Sequence, residues 1–189
     1  MAYLRTIIND GHPTLRKVAK KIAPAELADP LFQQLVDDMF ETMYEARGIG
    51  LAAPQIDISK RLFVMDLQDD EDDHGPTVVV NPKFTVTEGE RDTVEGCLSV
   101  PGMVGEVKRF QRIVCTGLDR HGKKITIDSS DWLAVCMQHE MDHLDGVLYI
   151  DKAQNVRPAG TDEEKAEADA VAAEGEATER INETVALAT

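Results

Sequence analysis

The sequence predicts an α+β protein in which antiparallel β-sheets pack around a central helix that carries an HExxH motif. Three observations favour this class. An apolar stripe at helical spacing runs through residues 24–47, β-like runs separated by Gly, Pro and Asp fill residues 61–127, and a second helix follows. The chain has 189 residues, 42% of them hydrophobic, which is enough for one domain with its own core.

The composition excludes several classes of partner. A formal net charge of −15 argues against duplex DNA and against anionic membranes, because both attract a surplus of Lys and Arg. No apolar run approaches the roughly 20 residues of a membrane helix, and no secretory signal is visible. Three cysteines, an odd number, do not form a disulfide framework. We therefore expect a soluble, cytoplasmic protein with no DNA or membrane partner, and separately we expect it to be a monomer.

The first helix is predicted for residues 24–47, where apolar side chains recur at spacings of four. They are Leu27, Leu31, Leu35, Met39 and Met43. Gly48 then breaks the helix. Five strand-like runs follow, and the turn residues between them indicate antiparallel sheet. They read LFVMDL, TVVVNP, KFTVTEG, RIVCTGLD and KKITID, with a hairpin turn at DRHG in which His121 is a turn residue.

Acidic residues are concentrated in two segments. Residues 69–73 are all acidic and stand between strand-like runs, which predicts an exposed hairpin loop rather than a cation site. Residues 160–189 hold nine acidic and two basic residues. We therefore divide the chain into a catalytic domain, residues 1–152, and an acidic Ala/Glu-rich tail, residues 153–189, that is helical or disordered.

The second helix is predicted to begin near Ser130 or Asp131, either of which can cap it, and to end at Gly146. Its first half is almost wholly apolar, so the helix should be buried on most sides. Ionisable side chains in such a helix are costly unless something satisfies them.

Three ionisable residues of this helix form the HExxH motif. His139 and His143 are four residues apart and project from one face, while Glu140 lies about 100° around the axis. This geometry binds a divalent metal ion and supplies a general base. The alternative is a pair of core histidines that are hydrogen-bonded to the backbone.

A catalytic metal site needs a third protein ligand and an open position. In one protease pattern a further histidine follows, but Tyr149 occupies that position. In another, a glutamate arrives about twenty residues later, but Glu163 and Glu164 lie in the polar tail. Cys97, in the Gly- and Pro-bounded turn at 95–102, is the better candidate, and a thiolate there would complete a Cys/His/His site.

The other two cysteines and a glycine-containing loop allow simpler interpretations. Cys115 lies in a strand-like run and Cys136 lies on the helix, so both are expected to be small core residues. The loop GIGLAAPQ at 48–55 has two glycines that permit close backbone approach. Taken alone, it is an ordinary exit from the first helix.

Taken together, GIGLAAPQ at 48–55, EGCLS at 95–99 and QHEMDHLDG at 138–146 resemble the three motifs of peptide deformylase, in the same order and at similar separations. The resemblance extends from about His12 to Asp151. It implies a hydrolase that removes the N-formyl group from the N-terminal methionine of nascent polypeptides and releases formate. It also implies one divalent metal ion, iron(II) in the native state, with zinc, nickel or cobalt as alternatives.

The resemblance also assigns roles to individual residues. The implied metal ligands are Cys97, His139 and His143. Glu140 corresponds to the catalytic acid and base, and Gln55 and the backbone N–H of Leu98 resemble the donors to the developing oxyanion. Glu95 corresponds to a structural residue, paired with Arg109. The substrate-binding positions are Gly50 as a backbone contact and Ile49, Leu98, Val135 and Cys136 in the methionine pocket.

Two departures from the family pattern qualify the implied partners. Many bacterial members end in a basic helix that docks at the ribosome, whereas rRNA phosphates would repel the acidic tail of this chain. The segment at 103–108 also differs from the commoner versions, so contacts beyond methionine are not implied.

Two other functions are compatible with the HExxH motif. One is a zinc endopeptidase, although its downstream third ligand is missing here. The other is a non-catalytic metal-binding module, which would need neither Glu140 nor Gln55.

Overall fold

The computed structural model describes residues 2–68 and 75–160, and in these ranges it contains two α-helices and eight β-strands. The helices are α1 (Pro30–Glu45) and α2 (Trp132–Leu144). The strands are β1 (Gly50–Ala52), β2 (Leu62–Met65), β3 (Thr77–Glu88), β4 (Arg91–Cys97), β5 (Val100–Arg109), β6 (Arg112–Leu118), β7 (Lys124–Ser129) and β8 (Gln154–Pro158). Short 3₁₀ turns lie at Pro13–Arg16, Pro24–Ala28, Ala53–Ile56 and Tyr149–Asp151.

The strands form two sheets. A five-stranded sheet has the order β1-β2-β3-β6-β7, and a three-stranded sheet has the order β4-β5-β8. The pairs from β1 to β2, β2 to β3, β3 to β6, β4 to β5 and β6 to β7 are antiparallel. Helix α2 contacts β1, β2, β6 and β7 of the larger sheet. The predicted α+β class, with antiparallel sheets around the HExxH helix, is confirmed.

The segment predicted as a single first helix is divided at Pro30. A 3₁₀ turn covers Pro24–Ala28, and α1 begins at Pro30 after Asp29, whose side chain accepts a hydrogen bond from the Leu31 N–H at 2.8 Å. Proline disfavours helical geometry in the residue before it, and Asp29 is extended, with φ −69° and ψ 127°. Pro30 therefore interrupts the predicted helix and is at the same time a favourable first residue for α1.

The predicted apolar stripe of α1 is only partly correct. Leu35, Met39 and Met43 are at most 7% exposed, whereas Leu31 is 78% exposed. Four residues turn an α-helix by about 400°, so a strict spacing of four drifts about 40° at each step. Over three steps the drift moves Leu31 off the face that packs against the core.

Helix α2 has the predicted bounds. The Asp131 side chain accepts the Leu133 N–H at 2.9 Å, and the chain leaves the helix at Gly146 with φ +76°. Most of its apolar first half is buried, although Trp132 is 52% exposed. The DRHG turn is also confirmed between β6 and β7, where the Gly122 N–H reaches the Asp119 carbonyl at 3.1 Å.

The sequence did not predict β4 and β5. The segment at 95–102 was predicted as a turn, but Cys97 is the last residue of β4 and Val100 is the first residue of β5. These strands have few apolar residues, so the alternation that marks a half-buried strand is faint. Two predicted runs, in contrast, form the single strand β3, which is irregular between Val80 and Lys83.

The end of the chain is described only in part. Residues 154–158, within the predicted tail, form β8 beside β5, so the expectation of helix or disorder is wrong there. The rest of the predicted tail, residues 161–189, and the acidic cluster at 69–73 lie outside the described residues. The division at residue 152 thus stays a prediction. Among the described residues, no helix has the length and apolar character needed to cross a membrane.

We predict that Gly146→Ala destabilises the fold more than Gly102→Ala does. Both glycines have positive φ, +76° and +73°, which costs a residue with a side chain about 1–2 kcal/mol. A Cβ at Gly146 would also lie 2.9 Å from the Arg16 carbonyl carbon, whereas one at Gly102 meets nothing within 4 Å. The additional cost for Gly146→Ala is about 1–3 kcal/mol. Equal changes in the free energy of unfolding by guanidinium would contradict this account.

Candidate active site

A sulfur atom and two imidazoles converge between β4 and α2. One ligand atom from each of Cys97, His139 and His143 lies within 4.8 Å of the others. Cys97 Sγ is 3.2 Å from His143 Nε2, and the two imidazole centroids are 5.0 Å apart. A thiolate and two imidazoles form a donor set that suits a transition metal ion, with at least one further coordination position. These residues therefore fit the metal ion that the motif implies.

A buried carboxylate orients His139. Glu95 Oε2 is 2.9 Å from His139 Nδ1, which leaves Nε2 free for a ligand. Arg109 donates to both oxygens of Glu95, each at 2.7 Å, which confirms the expected pair, and to Asp142 at 2.6 Å. Burial alone would raise the pKa of Glu95, but the hydrogen bonds from Arg109 and His139 lower it to about 2. Glu95 is therefore an anion at neutral pH.

Glu140 lies at the site but outside the group of ligand atoms. It is 3% exposed, and its Oε2 has no hydrogen-bond partner among the described residues. Burial raises its pKa to about 7. A Cβ on Gly50 would collide with Glu140 Oε1, so glycine lets β1 approach this carboxylate. A buried carboxyl with such a pKa can both accept and return a proton.

The Gln55 amide turns its nitrogen toward the cysteine. Its Oε1 accepts the Ala52 N–H at 2.8 Å, and its Nε2 is 3.6 Å from Cys97 Sγ. Leu98 lies in the two-residue link between β4 and β5, directly after Cys97. Its side chain packs against Gly48, where a Cβ would approach Leu98 Cδ1 to 2.9 Å. The glycine loop and the β4–β5 link therefore meet beside the three ligand residues.

The predicted substrate positions lie along β1 and α2. Cys136 Sγ is 3.7 Å from the Ile49 carbonyl, and a Cβ on Gly50 would lie 2.9 Å from that sulfur. Val135 and Cys136 are buried, while Ile49 is 42% exposed. Burial raises the pKa of the Cys136 thiol well above its usual value, so it remains neutral. Gly50 and Cys136 lie beside Glu140, and Val135 precedes Cys136 on α2.

The sequence reasoning missed three residues that line or support this site. Asp142 holds Arg109, Ser99 lies next to Gln55, and Tyr149 stacks its ring on His139 with centroids 6.1 Å apart. Ser99 and Asp142 lie inside motifs that were recognised, but no spacing rule singled them out. For Tyr149 the sequence indicates only that no histidine ligand stands at this position, and nothing in its spacing predicts stacking on His139.

A polypeptide deformylase family model matches residues 4–159, most of the chain. The chain belongs to the polypeptide deformylase family. A peptide deformylase of Symbiobacterium thermophilum is 47% identical over 174 residues, covering 90% of this chain and 78% of that protein. One from Acetivibrio thermocellus is 48% identical, covering 79% of this chain and 83% of that protein.

Solved deformylase structures have the same fold. The enzyme from Legionella pneumophila is 42% identical with a TM-score of 0.75, covering 81% of this chain and 88% of that chain. A Met-Ala-Ser-bound enzyme from Acinetobacter baumannii is 30% identical with a TM-score of 0.77, covering 80% and 99%. Deformylases are metal-dependent hydrolases that remove the N-formyl group from nascent polypeptides. The function implied by the three motifs is therefore confirmed, and the endopeptidase and non-catalytic alternatives are not supported.

We predict that Arg109→Met lowers the free energy of unfolding by about 3–5 kcal/mol, because it leaves the Glu95 carboxylate buried without its cation. The matched control is Arg112→Met. Arg112 also pairs with two carboxylates, Asp128 and Glu88, but at the surface, where solvent screens the interaction. If urea unfolding gives similar losses in the free energy of unfolding for both variants, burial of the Arg109–Glu95 pair does not determine its contribution to stability, and the prediction is wrong.

Proposed function

We propose that this deformylase holds iron(II) through Cys97, His139 and His143. The observation that carries the proposal is the convergence of three donor atoms within 4.8 Å, with Glu140 beside them but not among them. The Glu95 contact to Nδ1 leaves Nε2 as the ligand atom of His139. Family membership favours iron(II), although the same donors also accept zinc, nickel or cobalt. A divalent ion held there supplies Lewis acidity, which polarises the formyl carbonyl and acidifies water.

Glu140 acts as the acid and base in this proposal. Its Oε2 has no partner among the described residues and can accept the proton of an attacking water molecule. As the C–N bond breaks, the same oxygen returns that proton to the leaving amine, so formate and a free N-terminus result. Burial keeps the pKa of Glu140 raised, which favours both transfers near neutral pH.

Gln55 and Leu98 stabilise the tetrahedral intermediate. The Gln55 Nε2 faces Cys97 from the glycine loop, and the Leu98 N–H directly follows Cys97 in the chain. Both can donate to the oxygen of the former carbonyl as it gains negative charge. One such donor typically contributes about 2.7–4 kcal/mol to transition-state stabilisation.

The substrate is a formylated peptide that begins with methionine. Ile49, Val135 and Cys136, with Leu98, offer apolar surface for the methionine side chain, and the Gly50 backbone contacts an extended peptide. The Acinetobacter baumannii relative has Met-Ala-Ser bound, and an enzyme from Synechococcus elongatus has actinonin bound. Both complexes support the proposal of a peptide-binding site here.

We propose that the enzyme acts in the cytoplasm as a monomer on nascent chains. The net charge of −15 supports the absence of a DNA or membrane partner. Residues 160–189 hold nine acidic residues and two basic ones, so rRNA phosphates would repel this segment and we do not propose it as a ribosome-docking element.

Replacing Glu140 with Gln is expected to abolish release of formate from formyl-Met-Ala-Ser while leaving the bound metal nearly unchanged. The amide keeps the shape of the side chain but cannot accept the proton. Formate release and metal content are measured under anaerobic conditions, with the exposed Glu90→Gln as the control. Loss of metal together with activity would identify Glu140 as a ligand and refute its assigned role.

We predict that Cys97→Ala loses the metal ion, because it removes the sulfur donor from the site. Cys115→Ala is the matched control, since Cys115 is buried in β6 and is not one of the three grouped ligands. Metal content after anaerobic gel filtration gives the readout, and the wild-type protein should contain iron. Full occupancy in the Cys97→Ala protein would remove the thiolate from the proposed site.

A further inference from the structure

Two contacts fix the Gln55 side chain. The Ala52 N–H donates to Oε1 at 2.8 Å, which identifies Oε1 as the amide oxygen and turns Nε2 toward the β4–β5 link. On that side, Nε2 lies 3.3 Å from Ser99 Oγ and 3.6 Å from Cys97 Sγ. The amide nitrogen has two hydrogens, so with one directed at Ser99 Oγ the other points toward Cys97 Sγ, on the side of the three grouped ligands.

Ser99 contacts both a proposed oxyanion donor and a proposed metal ligand. Its side chain is fully buried, its hydroxyl oxygen accepts from Gln55 Nε2, and its own N–H lies 3.4 Å from Cys97 Sγ. A buried hydroxyl is normally hydrogen-bonded, and this one is bonded to the Gln55 amide. Ser99 is not itself one of the three grouped ligands.

The N-terminal segment is hydrogen-bonded to the backbone of both Ser99 and Gln55. The Asp10 N–H donates to the Ser99 carbonyl and the Ile8 N–H donates to the Gln55 carbonyl, each at 2.8 Å. Two residues of one segment therefore attach to both members of the pair. This arrangement fixes the distance between the glycine loop and the β4–β5 link independently of the metal ion.

We propose that Ser99 is a positioning residue for deformylation: its hydroxyl takes one hydrogen of the Gln55 amide and thereby aims the other at the oxyanion. The proposal rests on the proposed role of Gln55. Because the amide is planar, fixing one N–H direction fixes the second. Without the hydroxyl, the torsion that turns the amide has a broad minimum, and the donor is less well aligned.

The test is a double-mutant cycle with formyl-Met-Ala-Ser and matched metal content. Gln55→Ala should reduce kcat about 100-fold, the effect of losing one oxyanion donor. Ser99→Ala, which keeps the backbone N–H to Cys97, should reduce kcat about tenfold with KM unchanged, as expected for a misaligned group. In the Gln55→Ala background, Ser99→Ala should have no further effect, because Ser99 acts only through Gln55. Ser99→Thr, which retains a hydroxyl, should recover most of the activity.

The outcomes distinguish a failure of the Ser99 proposal from a failure of the proposed role of Gln55, on which it rests. Equal loss of kcat from Ser99→Ala in both backgrounds would overturn the positioning role, as would full activity of the single variant. If Gln55→Ala itself retains full kcat, the proposed role of Gln55 fails first. If Ser99→Ala does not fold, Ser99→Cys, which fills the same space with a sulfur that accepts hydrogen bonds only weakly, enters the cycle in its place, with thermal unfolding as the check on integrity.

Discussion

The buried carboxylate of Glu95 links the elements on which the active site depends. Glu95 lies on β4, two residues before Cys97, and it is bonded to Arg109 of β5 and to His139 of α2. One carboxylate therefore ties the strand that carries the sulfur to the helix that carries both imidazoles. A buried ion pair of this kind adds little net stability by itself, but it strongly disfavours any arrangement that separates its partners. The geometry of the ligand residues follows from this constraint.

The catalytic groups are arranged around that framework according to burial and charge. Glu140 is one residue from His139, but it faces β1 instead of Glu95, and the absence of a side chain at Gly50 provides the space. Burial raises the pKa of both carboxyl groups. In Glu95 the hydrogen bonds from Arg109 and His139 outweigh burial and lower the pKa, whereas Glu140 has no hydrogen-bond partner at Oε2 among the described residues and its pKa stays raised. Two motifs thus supply an anchored anion, Glu95, and a proton carrier, Glu140.

Much of this site could be predicted from the sequence because HExxH depends on local helical spacing, which tertiary structure changes little. The cap at Asp131, the end of α2 at Gly146 and the Glu95 to Arg109 pair were also predicted correctly. Strands β4 and β5 were not predicted because apolar and polar residues alternate only weakly along them. The roles of Ser99 and Asp142 depend on contacts between distant segments, which no local pattern encodes.

X-ray absorption spectroscopy at the metal edge of the anaerobically purified protein tests the central claim most directly. It reports the atoms bound to the ion without any assumption about catalysis. We predict one sulfur scatterer together with the multiple-scattering signature of two imidazoles, and loss of only the sulfur contribution when Cys97 is replaced by a ligand without sulfur, such as Asp. A metal shell with no sulfur, or with a carboxylate from Glu140 in it, would contradict the account.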